Sequence, residues 1–492
     1  MSDLSEMNTY KESKIYMGFP EELPPHYAYE AVQIFNDCGG FPELVPNSGI
    51  KTDKNSGIWL QKGEVRYDIP FFGEENEKLE HKLQKREIYR IMSDFTGYTS
   101  PWGCMTGVRP AKIVNGLFNS GATYQEALEE LEKFYMARSE KAELAVKTAC
   151  NQEAFLKEQI ENPKNIAIYV GIPFCPTRCL YCSFTSHPIG KYNKIVDKYL
   201  ELLEAELRTV VPVLLQKGYN IESLYIGGGT PTSLSEISFE NFMGFVTDIV
   251  NPVNLKEFSL EAGRPDSITK EKLRIAKKSG VTRISVNPQT MNNATLELIG
   301  RRHSAEEVIK AFEMARMENF DNINMDIIAG LPGEDLSHFE YTLEKIAQLK
   351  PDGLTVHTLS VKRAADLKRD AKAELLRHDI TGKMLIESQK CASSMGMIPF
   401  YMYRQKNAVG NFENVGFCKK GTEGIYNILM MEEIHSIFAA GAGAVTKFVG
   451  ERNVKIERIF NPKYPYEYLE QDRQLAFEHT KKVMEQFFAQ NQ

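Results

Sequence analysis

Residues 166–182 read Ile-Ala-Ile-Tyr-Val-Gly-Ile-Pro-Phe-Cys-Pro-Thr-Arg-Cys-Leu-Tyr-Cys. The run Ile166–Ile172 is apolar and of strand length. A loop follows at once with Cys175, Cys179 and Cys182 in C-x3-C-x2-C spacing. Thiolates are the usual ligands of a four-iron, four-sulfur cluster. Three on one short loop can curl around a single cube and leave its fourth iron open to a substrate. Zinc is the competing metal, and a structural zinc wants a fourth ligand, for which His187 is the nearby candidate. The remaining alternative is three buried thiols without metal. Against it stands the gathering of three of the chain's eight cysteines within eight residues.

Beyond this segment, strand-like runs recur at Ser223–Ile226, Glu257–Leu260, Arg283–Val286, Ile323–Ile328 and Gly353–His357. Amphipathic stretches fill the gaps at Lys194–Leu215, Ser235–Ile249, Lys270–Lys278, Ala305–Met317 and Ser337–Leu349. Six β-then-α units in succession predict parallel strands joined by crossover helices, an α/β sheet or partial barrel. Such folds place their chemistry at the carboxyl ends of the strands.

Polar and glycine residues gather at those ends. Gly227, Gly228 and Gly229, followed by Thr230, close the second strand and suit close approach of a ligand to the main chain. They match neither a P-loop nor a dinucleotide fingerprint, and a plain tight strand exit is the alternative. Glu261 closes the third strand, Gln289 follows the fourth, and Arg301 precedes the fourth long helix. Asp326 lies within the apolar fifth strand, where a buried acid needs a partner. A buried salt bridge is the competing reading for each of these.

The flanks are less patterned. Residues 1–160 are expected to form an N-terminal α+β domain, with a strand at Glu64–Phe72 and helices at Asn76–Phe95, Tyr124–Tyr135 and Ser139–Ile160. Within it, the compact loop Trp102–Lys112 either covers the barrel mouth, binds an anion through Arg109 and Lys112, or only starts a helix. Residues 161–360 form the β/α domain, and 361–492 a C-terminal α+β extension opening with a helix at Ala364–Met395. The remaining cysteines, Cys38, Cys104, Cys150, Cys391 and Cys418, are scattered and read as ordinary thiols.

Bulk properties narrow the classes. A formal charge of -7 with 59 basic and 66 acidic side chains argues against nucleic-acid binding. No apolar run is long enough to span a bilayer, and the start lacks the order of a signal peptide. A cytoplasmic location is expected, where eight cysteines do not form a disulfide framework.

Cys-x3-Cys-x-Tyr-Cys after a strand, opening a β/α domain, resembles the radical S-adenosylmethionine superfamily. Tyr169–Cys175, Gly227-Gly-Gly-Thr-Pro-Thr232 and Gly330-Leu-Pro-Gly333 are similar to the oxygen-independent coproporphyrinogen III oxidase group. Arg404-Gln-Lys-Asn407, Gly410–Gly416 and Gly441-Ala-Gly-Ala444 resemble its coproporphyrinogen dehydrogenase branch, which has an extended N-terminal domain. The resemblance implies a partial (β/α)6 radical-SAM barrel between the two flanking α+β regions. It implies a 4Fe-4S cluster on Cys175, Cys179 and Cys182, and S-adenosyl-L-methionine on the open iron. Gly228, Gly229 and Thr230 would then meet the methionyl amino group, Arg301 its carboxylate, Glu261 and Gln289 its polar groups, and Asp326 its ribose. Tyr169 would pack near the sulfonium.

The implied activity is oxidative decarboxylation of coproporphyrinogen III propionates to vinyls in anaerobic haem synthesis. Its partners would be a tetrapyrrole and a reducing donor such as flavodoxin or ferredoxin. Arg302, Lys362, Arg363, Arg404 and Lys406 are candidates for holding propionates, with solvated surface charge as the alternative. Two positions depart from the oxidase pattern. Phe184 replaces a fourth cysteine and Gly171 replaces a histidine. Phe184 is similar instead to a haem-binding chaperone branch, yet that branch's His-Asn-x-x-Tyr-Trp signature is absent, the nearest stretch being Tyr403–Asn407. A radical haem-modifying methyltransferase is a third reading.

Overall fold

The structure, a computed structural model, describes residues 14–19, 24–36, 41–46, 57–182, 184, 186–360, 378–405, 409–450, 456–470 and 473–490. They group into two compact units, 147–403 with 413–492, and 1–146 with 404–412.

The larger unit is built on six parallel strands: β1 (Asn165–Ile172), β2 (Asn220–Gly228), β3 (Glu257–Gly263), β4 (Arg283–Val286), β5 (Ile323–Ala329) and β6 (Gly353–Thr358). They lie side by side in chain order, each parallel to the next. Helices α1 (Val196–Gln216), α2 (Glu236–Val250), α3 (Lys270–Lys278), α4 (Ala305–Met317) and α5 (Leu336–Leu349) make the crossovers. The strands are buried almost throughout, as a parallel sheet covered on both faces requires. Side-chain caps fix the starts of four helices: Ser235 for α2, Thr269 for α3, Ser304 for α4 and Asp335 for α5. Each accepts a hydrogen bond from a first-turn N–H that would otherwise lack a partner.

The sheet continues past both edges of this core. Beside β6 lie antiparallel β8 (Glu413–Cys418) and then β7 (Ile398–Arg404). Beside β1 lies a seventh parallel strand, β9 (Ile437–Ala440), followed by antiparallel β10 (Val445–Val449) and β11 (Ile456–Phe460). The order of the eleven strands runs from β7 to β11 with two distinct edges, so the barrel is partial. Residues 413–492 thus extend the sheet of the β/α region within one compact unit.

The segment Gly441–Ala444 is anchored beside β1 by a buried carboxylate. Glu206 of α1, 2% exposed, accepts hydrogen bonds from Gly441 N (2.9 Å), Asn461 Nδ2 (2.7 Å) and the Tyr468 hydroxyl (2.6 Å). The Tyr199 hydroxyl accepts from Ala442 N (2.9 Å) and donates to Gly171 O (2.7 Å). Gly441 has φ +99°, and a Cβ there would lie 2.5 Å from Gly171 O, so no larger residue fits. This contact accounts for the glycine of that motif.

In the smaller unit, Glu43–Pro46, Ile15–Phe19, Trp59–Lys62 and Val65–Asp68 form a four-stranded mixed sheet in that order. The strand expected over Glu64–Phe72 is only the short arm Val65–Asp68 of a hairpin with Trp59–Lys62. Helix Glu77–Thr96 falls where expected, while the stretch from Tyr124 is an α-turn to Glu129 that widens into a π-turn at Glu130–Phe134. Pro110 begins a helix to Asn119, its fixed φ suiting the first helical position. Trp102 is fully buried, and Gly103 (φ +53°) packs where any Cβ would strike Tyr135 O. The Arg404 guanidinium lies 5.7 Å over the Trp102 ring and donates to the carbonyls of Met105 and Asn411. Arg404 therefore braces this loop, which corrects its reading as a propionate ligand. Lys362, Arg363, Lys406 and Asn407 lie outside the described residues, as does the first half of the helix expected over Ala364–Met395, of which His378–Ser394 is described.

Removing the Glu206 carboxylate takes the acceptor from two buried donors, Gly441 N and the Tyr468 hydroxyl, each costing about 1 kcal/mol or more. Glu206→Ala is expected to lower unfolding stability by about 2 kcal/mol in urea titration. A loss below about 1 kcal/mol contradicts the anchoring role.

Candidate functional site

The cysteine loop leaves β1 and folds back through a two-residue pairing of Phe174–Cys175 with His187–Pro188. Each sulfur has its own polar neighbour. Cys175 Sγ is 3.4 Å from Thr230 Oγ1, Cys179 Sγ accepts from Arg264 Nη1 (3.7 Å), and Cys182 Sγ accepts from Ser186 Oγ (3.5 Å). Burial pushes the Cys175 thiol up to about 12, against the Thr230 hydrogen bond, and the other two cysteines raise it further. A free thiolate is disfavoured there, whereas a thiolate bonded to a metal cation is not. The His187 ring packs edge-on against Tyr192 (5.0 Å) and Tyr464 (5.8 Å). Among the described residues no three His, Cys, Asp or Glu gather around one ion position, as a zinc site demands. A cube takes one cysteine per iron and suits thiols with separate surroundings.

The glycine segment holds this loop in place. Gly229 N donates to Ile172 O and Thr230 N to Phe174 O, both at 2.7 Å. A Cβ on Gly229 would stand 2.5 Å from Phe174 O, and Gly228 has φ +105°. The main chain pressing on Gly229 is therefore the cysteine loop itself. The sequence offered two readings of the close approach, a ligand or a tight strand exit, and the contact at Gly229 is with the chain itself. From the other side, Ile299 O accepts from Leu180 N (3.1 Å) and Gly300 O from Thr177 Oγ1 (3.3 Å).

The strand ends bring the other expected residues around this loop. The Tyr169 hydroxyl lies 3.3 Å from where a Gly228 Cβ would sit. Its ring stacks with Tyr225 (6.1 Å) and Tyr426 (6.0 Å), which stack on each other at 4.4 Å. The Tyr225 hydroxyl donates to Glu261 Oε1 at 2.6 Å. Burial raises the Glu261 carboxyl to about 7, opposed by the Tyr225 hydrogen bond and supported by the nearby charge of Asp326. Burial also acts to raise Asp326, but hydrogen bonds and charge from His357, with Asn324 Nδ2 at 2.6 Å, hold it below the usual range. Two neighbouring carboxyl groups are thus driven apart, one ionised and one near half-protonated at neutral pH.

At the end of β4 the backbone is bent for a purpose. Gln289 has φ +68°, and its N–H and C=O bond to Asp326 O and Ile328 N, both at 2.9 Å. Its buried Oε1 has no hydrogen-bond partner, and neither do Asn287 Oδ1 and Arg301 Nε. Arg301 Nη1 donates to Asn287 O at 2.5 Å, and the guanidinium is held charged, despite its burial, by Tyr181 and Cys179. Acceptors and a cationic donor left unmatched in one buried place fit a zwitterionic, polar ligand, since unmade buried bonds cost about 1–3 kcal/mol each. Sequence reasoning missed Tyr225, Asn287, Arg264, Asp266 and His357. Only the charged pair in Arg264-Pro-Asp266, directly after the end of β3, carried a readable signal. Of the proposed propionate cations, Arg302 is exposed.

Gly229→Ala is expected to abolish iron uptake on anaerobic reconstitution while leaving far-ultraviolet circular dichroism unchanged. Full iron content in that variant contradicts the docking role of the glycine. Glu261 has a raised folded-state pKa, so it favours the folded state below its ordinary value of 4.5 and loses that effect as pH rises through about 7. Apoprotein stability is expected to fall across that window by up to about 3 kcal/mol relative to Glu261→Gln. Thermal unfolding of both proteins from pH 4.5 to 7.5 reads this, and parallel profiles contradict it.

The Radical SAM superfamily model matches residues 169–346. The oxygen-independent coproporphyrinogen-III oxidase-like protein HemZ of Bacillus subtilis is 38% identical over 438 residues, 88% of this chain and 87% of that protein. The haem chaperone HemW of Bacillus subtilis is 32% identical over 289 residues, 58% of this chain and 72% of that protein. The oxygen-independent coproporphyrinogen III oxidase of Escherichia coli is 30% identical over 206 residues, 42% of this chain and 44% of that protein. Among the described residues no helix is long and apolar enough to cross a membrane. The chain therefore belongs to the radical SAM superfamily, in its oxygen-independent coproporphyrinogen III oxidase-like group, and its cofactors are that family's 4Fe-4S cluster and S-adenosylmethionine.

Proposed function

We propose that the protein is an oxygen-independent oxidase that converts coproporphyrinogen III propionates to vinyl groups. The observation that carries this reading is the extent of the HemZ match, since 88% of the chain cannot be reached without much of residues 1–146. The HemW match covers 58%. Held by the residues of the site, the cluster and S-adenosylmethionine would supply one-electron radical chemistry able to remove a hydrogen atom from a substrate carbon.

In this reading Cys175, Cys179 and Cys182 hold the cluster, and Thr230 steadies the Cys175 arm. Arg301 binds the methionyl carboxylate, while Gly228 and Gly229 hold the end of β2 against the cysteine loop, beside the methionyl amino group. Gln289 and Glu261 meet polar groups of the ligand, and Asp326, kept ionised by His357, accepts from the ribose hydroxyls. The stacked tyrosines, Tyr169 foremost, wall the site against water. The propionate gives up a hydrogen atom to that radical chemistry, releases carbon dioxide and passes one further electron to a one-electron acceptor, and so becomes a vinyl. A flavodoxin or ferredoxin is the proposed reducing donor.

A haem chaperone is the second reading, favoured by Phe184, whose side chain is 68% exposed where the oxidase pattern has a cysteine. Anaerobic incubation of the reconstituted protein with S-adenosylmethionine, reductant and coproporphyrinogen III separates the two. Deoxyadenosine together with protoporphyrinogen IX is expected. Deoxyadenosine without vinyl product, from a protein that takes up haem one to one, contradicts the oxidase assignment.

A further inference from the structure

Arg264 follows β3 and is 3% exposed, so its charge needs partners inside the protein. Nε and Nη2 donate to Asp266 Oδ1 (2.9 Å) and Oδ2 (2.6 Å), a fork-on-fork pair of fixed geometry. Nη1 projects from the opposite edge of the guanidinium. It donates to Thr177 Oγ1 (2.9 Å) and to Cys179 Sγ (3.7 Å). The turn is fixed by Arg264 N donating to Ala262 O (2.7 Å) and Ser267 Oγ donating to Arg264 O (2.8 Å). The fully buried His303 ring stands 3.8 Å from Asp266 Oδ1, and neither of its nitrogens has a hydrogen bond. The ion pair is neutral as a whole, but its positive end touches the sulfur and its negative end faces away.

We propose that Arg264, clamped by Asp266, is a positioning residue that fixes the Cys179 arm and raises the reduction potential of the cluster held there. This rests on the reading of the three cysteines as cluster ligands. Reduction adds one negative charge to the cluster, and a cationic N–H donor at a ligating sulfur stabilises the more negative state. Asp266 partly offsets that effect, so removing either partner moves the couple in opposite directions. A merely structural pair would instead lose cluster or stability whichever partner is removed.

The test is a redox titration of the full-length reconstituted protein, followed by electron paramagnetic resonance. Dithionite supplies the single electron that each oxidised cluster takes up. Arg264→Gln is expected to lower the reduced-to-oxidised ratio at fixed potential about tenfold, equivalent to about 59 mV for one electron, with Arg264→Lys between it and the wild type. Asp266→Asn is expected to raise that ratio. Should Arg264→Gln hold no iron, the comparison of Arg264→Lys with Asp266→Asn decides. Shifts of the same sign in both, or no shift at full iron content, overturn the inference. A wild-type protein that takes up no cluster overturns the ligand reading itself, and the inference with it.

Discussion

The site depends on two backbone hydrogen bonds. Gly229 N to Ile172 O and Thr230 N to Phe174 O fasten the end of β2 to the cysteine loop as it leaves β1. They form only because Gly229 has no Cβ, since one would stand 2.5 Å from Phe174 O. A loop bearing three thiols would otherwise be free to lose them to solvent, where each is an exposed, oxidisable group. Docked, it presents Cys175 and Cys179 at 9% exposure to a shared interior. Ile299 and Gly300 close the same loop from the segment before α4, so it is gripped from two sides at once.

Around that loop the electrostatics are asymmetric. Beside the cysteines stand two buried guanidinium groups, Arg264 tied to Asp266 and Arg301 to a carbonyl. On the tyrosine side stand two carboxyls whose surroundings separate their titrations, Glu261 upward through burial and Asp326 downward through His357. A cation-rich wall suits added electrons and a ligand carboxylate. A wall with one ionised and one protonatable carboxyl suits hydroxyls and an amino group. The unmatched atoms of Gln289 and Asn287 follow β4 directly, and Arg301 joins them through its bond to Asn287 O.

Much of this architecture was legible in the sequence. The limits of α3 and α4, Lys270–Lys278 and Ala305–Met317, coincide with those read from pattern, because Thr269 and Ser304 cap strongly amphipathic segments. The parallel strands were legible because strands buried on both faces read as continuous apolar runs. What failed was contact between residues distant in sequence. Nothing local marks Gly441 as the residue that meets Gly171, nor Glu206 as its clamp across 235 positions. Arg404 looked like a free cation, although a partner 299 residues away had already taken it. In the smaller unit, Ile15–Phe19 is a short strand with one glycine and no clean alternation, so its pairing with Trp59–Lys62 left no periodic trace. Of the site, the residue types were legible and their roles came with the family resemblance. Why Gly229 must be glycine came only from the packing.

The cluster on Cys175, Cys179 and Cys182 is expected to keep one iron free to bind S-adenosylmethionine. Electron paramagnetic resonance of the dithionite-reduced protein, with and without S-adenosylmethionine, addresses it directly. A cluster signal whose g-values change when S-adenosylmethionine is added is the expected result. A signal that S-adenosylmethionine leaves unchanged at saturating concentration contradicts an open iron, and with it the reading of this site.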